Sequence, residues 1–171
     1  MSCLLGIDLG TSSVKVAAFG VEGTLKGVGV AEYPILTPRL GRAEQDPEQW
    51  WRATVMAVRE ALDKARHPKV LGIGFSGQMH GLVLLDQAKR LLRPAIIWAD
   101  QRSADLLPEI EGHVGRSLLA QRCGTAPTAG FAIASLYWLQ KFEAQTLERA
   151  ATMMLPNPRP WTRTPKGALS V

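Results

Sequence analysis

Three short β-runs follow one another at the start of the chain with little between them. Leu4 to Asp8 and Val14 to Phe19 are joined by Leu9-Gly10-Thr11-Ser12-Ser13, and a third run, Gly27 to Tyr33, follows the turn signal Glu22-Gly23. Parallel neighbours need a crossover of about a dozen residues or more, so connections this short permit only antiparallel pairing. An antiparallel meander must therefore form the front of a sheet, and every later element has to be placed against it.

The period then changes. Asp46-Pro47-Glu48-Gln49 is a helix start: Asp46 can accept from a free amide, Pro47 suits the first helical position, and Gln49 completes a capping-box spacing. Trp51, Val55, Val58 and Leu62 follow at helical spacing, and Pro68 ends the pattern. Val70 to Phe75 reads as a buried strand, Leu82 to Leu85 as another with a turn at Asp86-Gln87. A second helical stripe runs through Ile133, Leu136, Tyr137 and Leu139 to Phe142. A meander, a helix and a further strand imply an α/β layer.

At 171 residues, 46% of them hydrophobic, the chain suffices for one globular domain and is short for two. Its net charge of +5 would invite a nucleic-acid reading, but three of those charges, Arg159, Arg163 and Lys166, lie without any acid in residues 156–171. Residues 1–155 carry only +2, which argues against a nucleic-acid partner. Cys3 and Cys123 are too few for a disulfide framework and lack zinc-site spacing, as expected in a reducing compartment. No apolar run approaches the roughly 20 residues that span a bilayer, so a cytoplasmic protein without a membrane partner is expected.

Three segments could carry chemistry, and each has a plain alternative. In Gly6-Ile7-Asp8-Leu9-Gly10-Thr11-Ser12-Ser13-Val14-Lys15 a strand-end carboxylate, a glycine, three hydroxyls and a cation could anchor a metal and phosphate oxygens, or simply form a Ser/Thr-rich turn. In Gly74-Phe75-Ser76-Gly77-Gln78-Met79-His80-Gly81 the glycines leave room beside the backbone, and Gln78 and His80 suit sugar hydroxyls; the alternative is a glycine-rich strand exit. In Ile97-Trp98-Ala99-Asp100-Gln101-Arg102 an aromatic ring beside an acid suits a carbohydrate, or is a core tryptophan followed by a surface ion pair.

These three segments, together with Glu44-Gln45-Asp46-Pro47-Glu48-Gln49-Trp50-Trp51 and with Arg93-Pro94-Ala95-Ile96 preceding the third, stand in one order. In that order they resemble the amino-terminal part of the FGGY carbohydrate kinases over roughly residues 4–156, and Gln78-Met79-His80-Gly81 resembles the xylulokinase branch. The resemblance implies a ribonuclease-H-like domain of the actin and hexokinase type, with a mixed sheet and the antiparallel meander at its front. It implies ATP and Mg2+ as cofactors and a pentulose, D-xylulose, as the substrate phosphorylated to xylulose 5-phosphate. Residue by residue, Asp8 would support catalysis and hold magnesium through water, while Gly10, Thr11, Ser12, Ser13 and Lys15 would lie by the nucleotide phosphates. Gln78, Met79, His80, Trp98 and Asp100 would line the sugar site.

The same resemblance places the catalytic base beyond Val171. Thr125 to Gly130 and Asn157 to Arg163 depart from the family pattern, and 157–171 is expected to be a proline-rich basic tail. The chain is thus expected to be a truncated or frame-shifted kinase, with an inactive sugar-binding or orphan domain as the alternative function. An incomplete sheet would leave an edge prone to self-association.

Overall fold

A computed structural model describes residues 2–156; the expected tail, 157–171, lies outside the described residues. Strands β1 (Ser2–Leu9), β2 (Ser13–Gly20) and β3 (Leu25–Glu32) form the expected meander, each pair antiparallel. Helix α1 (Pro47–Lys64) then carries the chain across to β5 (Lys69–Gly77), which pairs parallel with β1 and completes the order β3-β2-β1-β5. Between β3 and α1 lies the two-residue β4 (Glu44–Gln45), which pairs antiparallel with β7 (Ala95–Ile96). Strand β6 (Val83–Leu85) pairs with β8 (Thr152–Met154), and α2 (Leu107–Val114), α3 (Arg116–Cys123), α4 (Ala132–Phe142) and α5 (Ala144–Glu148) complete the α/β structure.

The start of α1 follows from its capping residue: Asp46 Oδ1 accepts from the Glu48 amide at 3.0 Å and Pro47 occupies the first turn. Gln49 contributes its backbone amide, donated to the Asp46 carbonyl at 3.0 Å, rather than the side-chain half of a capping box. The buried face also differs from the expected stripe. Val58 and Leu62 are buried, but Trp51 and Val55 stand only partly covered, and Trp50, Ala53, Ala57 and Ala61 take the inner positions.

The cause lies in β3. Gly27 and Gly29 sit on the sheet face beneath α1, and the helix backbone comes so close that a Cβ on Gly29 would fall 2.0 Å from the Ala57 carbonyl oxygen. A Cβ on Gly27 would fall 2.2 Å from that of Ala61. Alanine on the helix and glycine on the strand therefore interlock, while larger residues are turned to the flanks. Trp50, in the first turn of the helix, is fully buried.

Strand β5 is not the buried strand expected from its composition. It is an edge strand, and Leu71, Ile73 and Phe75 are exposed. Ile73 pairs with Leu5 and Phe75 with Ile7, so they extend the apolar stripe of β1 past the reach of α1, which lies over β2 and β3. In α4 the covered side chains are Ala134, Ser135, Trp138 and Leu139, whereas Ile133 and Phe142 from the expected stripe are exposed. Trp138 sets that rotation, because the guanidinium groups of Arg42 and Arg102 each lie 5.0 Å from its ring. Among the described residues no helix is long and apolar enough to cross a membrane.

The helix-on-sheet contact can be tested with two glycines. Gly29→Ala should lower stability by about 1–3 kcal/mol, as overpacking against rigid backbone does, read as a shifted urea midpoint. Gly6→Ala, where a Cβ meets nothing within 4 Å, should leave the midpoint nearly unchanged.

Candidate functional site

The first wall of the site is the β1–β2 hairpin at Gly10-Thr11-Ser12, closed by the Gly10 amide on the Ser13 carbonyl at 2.9 Å. Buried Tyr33 fixes it from below: its hydroxyl lies 2.6 Å from the Gly10 carbonyl oxygen and 3.2 Å from that of Ser13, and its amide donates to the Ser12 carbonyl at 3.0 Å. Burial, reinforced by the negative charge of Asp8, raises the Tyr33 pKa and keeps the hydroxyl a donor. Thr11 is held at two points, its carbonyl accepting from Gln45 Nε2 at 2.6 Å and its Oγ1 from Trp98 Nε1 at 3.0 Å. Ser12 is exposed at the tip.

Asp8 and Lys15 stand opposite each other in the β1–β2 register, both exposed, on the sheet face turned away from α1. Among the described residues no group of three or more His, Cys, Asp or Glu side chains could hold a metal. A hard cation such as Mg2+ is nevertheless commonly held by one or two carboxylates, water and a ligand's own phosphates. The exposed carboxylate of Asp8, paired across the strands with Lys15, fits that arrangement, and it fits no site made of protein ligands alone.

The second wall is the segment after β5. The Gln78 amide donates to the Leu9 carbonyl at 2.8 Å, extending the strand pairing, and the Gln78 side chain turns inward. Its Nε2 donates to Gln45 Oε1 at 2.8 Å, the same oxygen that accepts from Trp50 Nε1 at 3.0 Å. Gln78 Oε1 is buried with no protein donor. Met79 is 67% exposed, and His80 is half-buried at φ +63° with its ring stacked on Phe131. The expected room beside Gly81 is filled from within the chain, since a Cβ there would lie 2.5 Å from Pro156 Cγ.

The third wall is Trp98, 48% exposed and so not a core tryptophan. Asp100 is placed differently from the expectation that it lines the sugar site: it is 0% exposed and both oxygens are engaged. Oδ1 accepts from the Arg102 amide at 2.9 Å and Nε at 2.8 Å; Oδ2 accepts from the Ala43 amide at 2.7 Å and Arg102 Nη2 at 2.8 Å. Arg102 Nη2 also donates to Glu44 Oε1 at 2.6 Å, and that oxygen takes a further bond from Arg93. Burial pulls the Arg102 pKa down, but hydrogen bonds to Asp100 and Glu44 outweigh it, so the cation is held above its ordinary value. The Asp100–Arg102 pair is thus a buried brace beneath Trp98, not a surface ion pair.

Four structural contributors are absent from the expected residues. Tyr33 and Phe131 carry no local signal of a site, because each acts on partners far away in the chain. Gln45 sits inside Glu44-Gln45-Asp46-Pro47 but has no role readable from that motif. Gly130 has φ +78°, and a Cβ on it would fall 2.0 Å from the Trp98 carbonyl oxygen. An isolated glycine directly before an aromatic residue and a helix was its one available signal.

Residues 3–158 match the N-terminal domain of the FGGY family of carbohydrate kinases. The chain is 35% identical over 156 residues to the xylulose kinase of Staphylococcus xylosus, covering 91% of this chain and 32% of that protein. It is 39% identical over 154 residues to the xylulose kinase of Klebsiella pneumoniae, covering 89% and 31%. Among solved structures, a xylulose kinase of Brucella ovis superposes with TM-score 0.85 at 34% identity, covering 90% of this chain and 32% of that one. The chain thus spans about a third of the length of the curated relatives it matches.

Two measurements test the braces. Asp100→Ala leaves the Arg102 cation buried without its main partner and should cost about 3–5 kcal/mol in urea unfolding. The chain has two tyrosines, and hydrogen bonding to Glu109 raises Tyr137 as well. Because both pKa values are raised on folding, the stability they lend is complete below about pH 10 and is lost as pH climbs toward the folded values. The phenolate of Tyr33, one of the two, should therefore appear only together with loss of the circular dichroism signal; ionisation of both tyrosines in a native spectrum would contradict it.

Proposed function

The chain belongs to the FGGY family of carbohydrate kinases, and from that premise we propose that it supplies the sugar wall and a phosphate loop for ATP-dependent phosphorylation of D-xylulose to xylulose 5-phosphate. The observation that carries this reading is the 3.0 Å hydrogen bond from Trp98 Nε1 to Thr11 Oγ1. It ties a half-exposed aromatic face, suited to the apolar face of a sugar, to a hydroxyl-rich hairpin suited to phosphate oxygens. A hydroxyl held against one and a phosphoryl group held against the other would be neighbours.

In this reading Trp98 and Met79 cover the apolar side of the pentulose, while His80 and Gln78 Oε1 receive its hydroxyls. Gln78 Oε1 has no protein donor, so a sugar hydroxyl that reached it would satisfy an otherwise unpaired acceptor. Asp100 serves by bracing Trp98 through Arg102 and Ala43 rather than by touching sugar. Gly10, Thr11, Ser12, Ser13 and Lys15 face the terminal phosphates, and Asp8 supports Mg2+ through water. Mg-ATP, when bound, supplies the phosphoryl group and much of the charge neutralisation. The residues present orient the two reactants; the base that takes the hydroxyl proton is assigned to no residue of this chain. Residues 4–156 act as part of one kinase domain, in a protein we place in the cytoplasm.

The test is a titration of the 171-residue chain with D-xylulose by intrinsic fluorescence and calorimetry. A saturable signal should appear, and in Trp98→Ala the affinity by calorimetry should fall about tenfold, the scale of one lost stacking and hydrogen-bonding aromatic. A coupled ADP-release assay on the same chain should show no turnover with D-xylulose and Mg-ATP. Absence of saturable binding would overturn the sugar assignment, and turnover would overturn the placing of the base elsewhere.

A further inference from the structure

We infer that Phe131 is a positioning residue for the proposed sugar site, covering one face of the His80 imidazole and fixing the plane in which its edge meets the ligand. The inference rests on the sugar-site reading for the identity of that ligand, but not for the geometry. The two rings are face to face, centroids 3.8 Å apart and planes 5° from parallel. Neither imidazole nitrogen has a hydrogen-bond partner among the described residues, so stacking is the contact that orients the ring.

The backbone beneath His80 needs such a restraint. His80 has φ +63°, in the left-handed region that non-glycine residues seldom adopt. The Gly81 amide donates to the Met79 carbonyl at 2.9 Å, closing a three-residue turn with His80 at its centre. Turns of this kind are rare and strained, and strain of this sort persists where surrounding structure holds it. Phe131 comes from the other side of the site and is itself fixed. Its amide donates to the Thr128 carbonyl at 3.2 Å, and Gly130 is pressed against the Trp98 carbonyl with no room for a Cβ. Trp98 and His80 are thus braced by consecutive residues, Gly130 and Phe131.

A covered face and a free edge define what His80 can do. It can donate or accept in the ring plane, toward one hydroxyl, and cannot itself serve as a stacking platform on the covered side. Phe131 therefore sets the direction of the hydrogen bond without touching the sugar.

Phe131→Leu removes the stack while keeping an apolar side chain; Phe131→Tyr keeps the ring. Proton NMR of the three histidines, with His80→Gln to identify the signal, should show the His80 ring resonance displaced upfield in the wild type and in F131Y. In F131L it should return to the range of His67 and His113. D-xylulose affinity should fall about tenfold in F131L, the scale of one lost aromatic pair, and recover in F131Y, with the thermal midpoint of both close to wild type. An undisplaced His80 signal in the wild type, or full affinity in F131L once the displacement is lost, overturns the inference. If the wild type binds no D-xylulose, the proposed function fails, and the NMR comparison alone decides whether Phe131 orients His80.

Discussion

One buried amide joins the parts of this structure that would otherwise be independent. Gln45 donates from Nε2 to the hairpin at Thr11 and accepts at Oε1 from Trp50 of α1 and from Gln78 after β5. A neutral amide is suited to this position because it offers a donor and an acceptor from one planar group. A carboxylate of the same shape could not donate to Thr11, and an apolar residue would leave three buried polar groups to find other partners. The geometry of hairpin, helix and sugar-side loop therefore depends on one side chain being satisfied at both ends.

The residue before it does the opposite kind of work. Glu44 and Gln45 form the whole of β4, and alternation along a strand sends successive side chains to opposite faces. Glu44 thereby reaches an ionic layer with Arg93, Arg102 and, through Arg102, Asp100. Arg93 extends it to Glu143. Burying such charges is costly, and the layer is tolerable because most of its polar atoms are paired; Arg102 Nη1 is left over. What the layer provides is position: it holds the segment under Trp98 and, through the cation over Trp138, sets the rotation of α4. A wall held by its own supports before a ligand arrives need not spend binding energy on ordering itself.

Much of the front of the molecule was legible in the chain. Short connections dictated the antiparallel meander, and Asp46-Pro47 marked the start of α1, because turns and caps are decided by neighbouring residues. The stripe Trp51, Val55, Val58, Leu62 was half wrong for a physical reason. Hydropathy weighs valine over alanine, but the glycines of β3 bring the helix so near that only alanine fits between backbones. Likewise β5 has the composition of a buried strand and the position of an edge, since what covers a strand is not written in the strand itself.

The ordered motifs, read together, determined the family, and each alone allowed a turn or a core residue. Whether Trp98 is core or surface, whether Asp100 meets a ligand or an arginine, and which ring faces His80 were settled only by the fold. Those outcomes depend on contacts across long separations: Trp98 to Thr11 spans 87 residues and Gln45 to Thr11 spans 34. A hydrogen bond or ring stack is a relation between two places, and the sequence around either place describes only one of them. Local chemistry along the chain therefore determined the elements and the residue types available, while tertiary packing decided which of those residues remain free to meet a ligand.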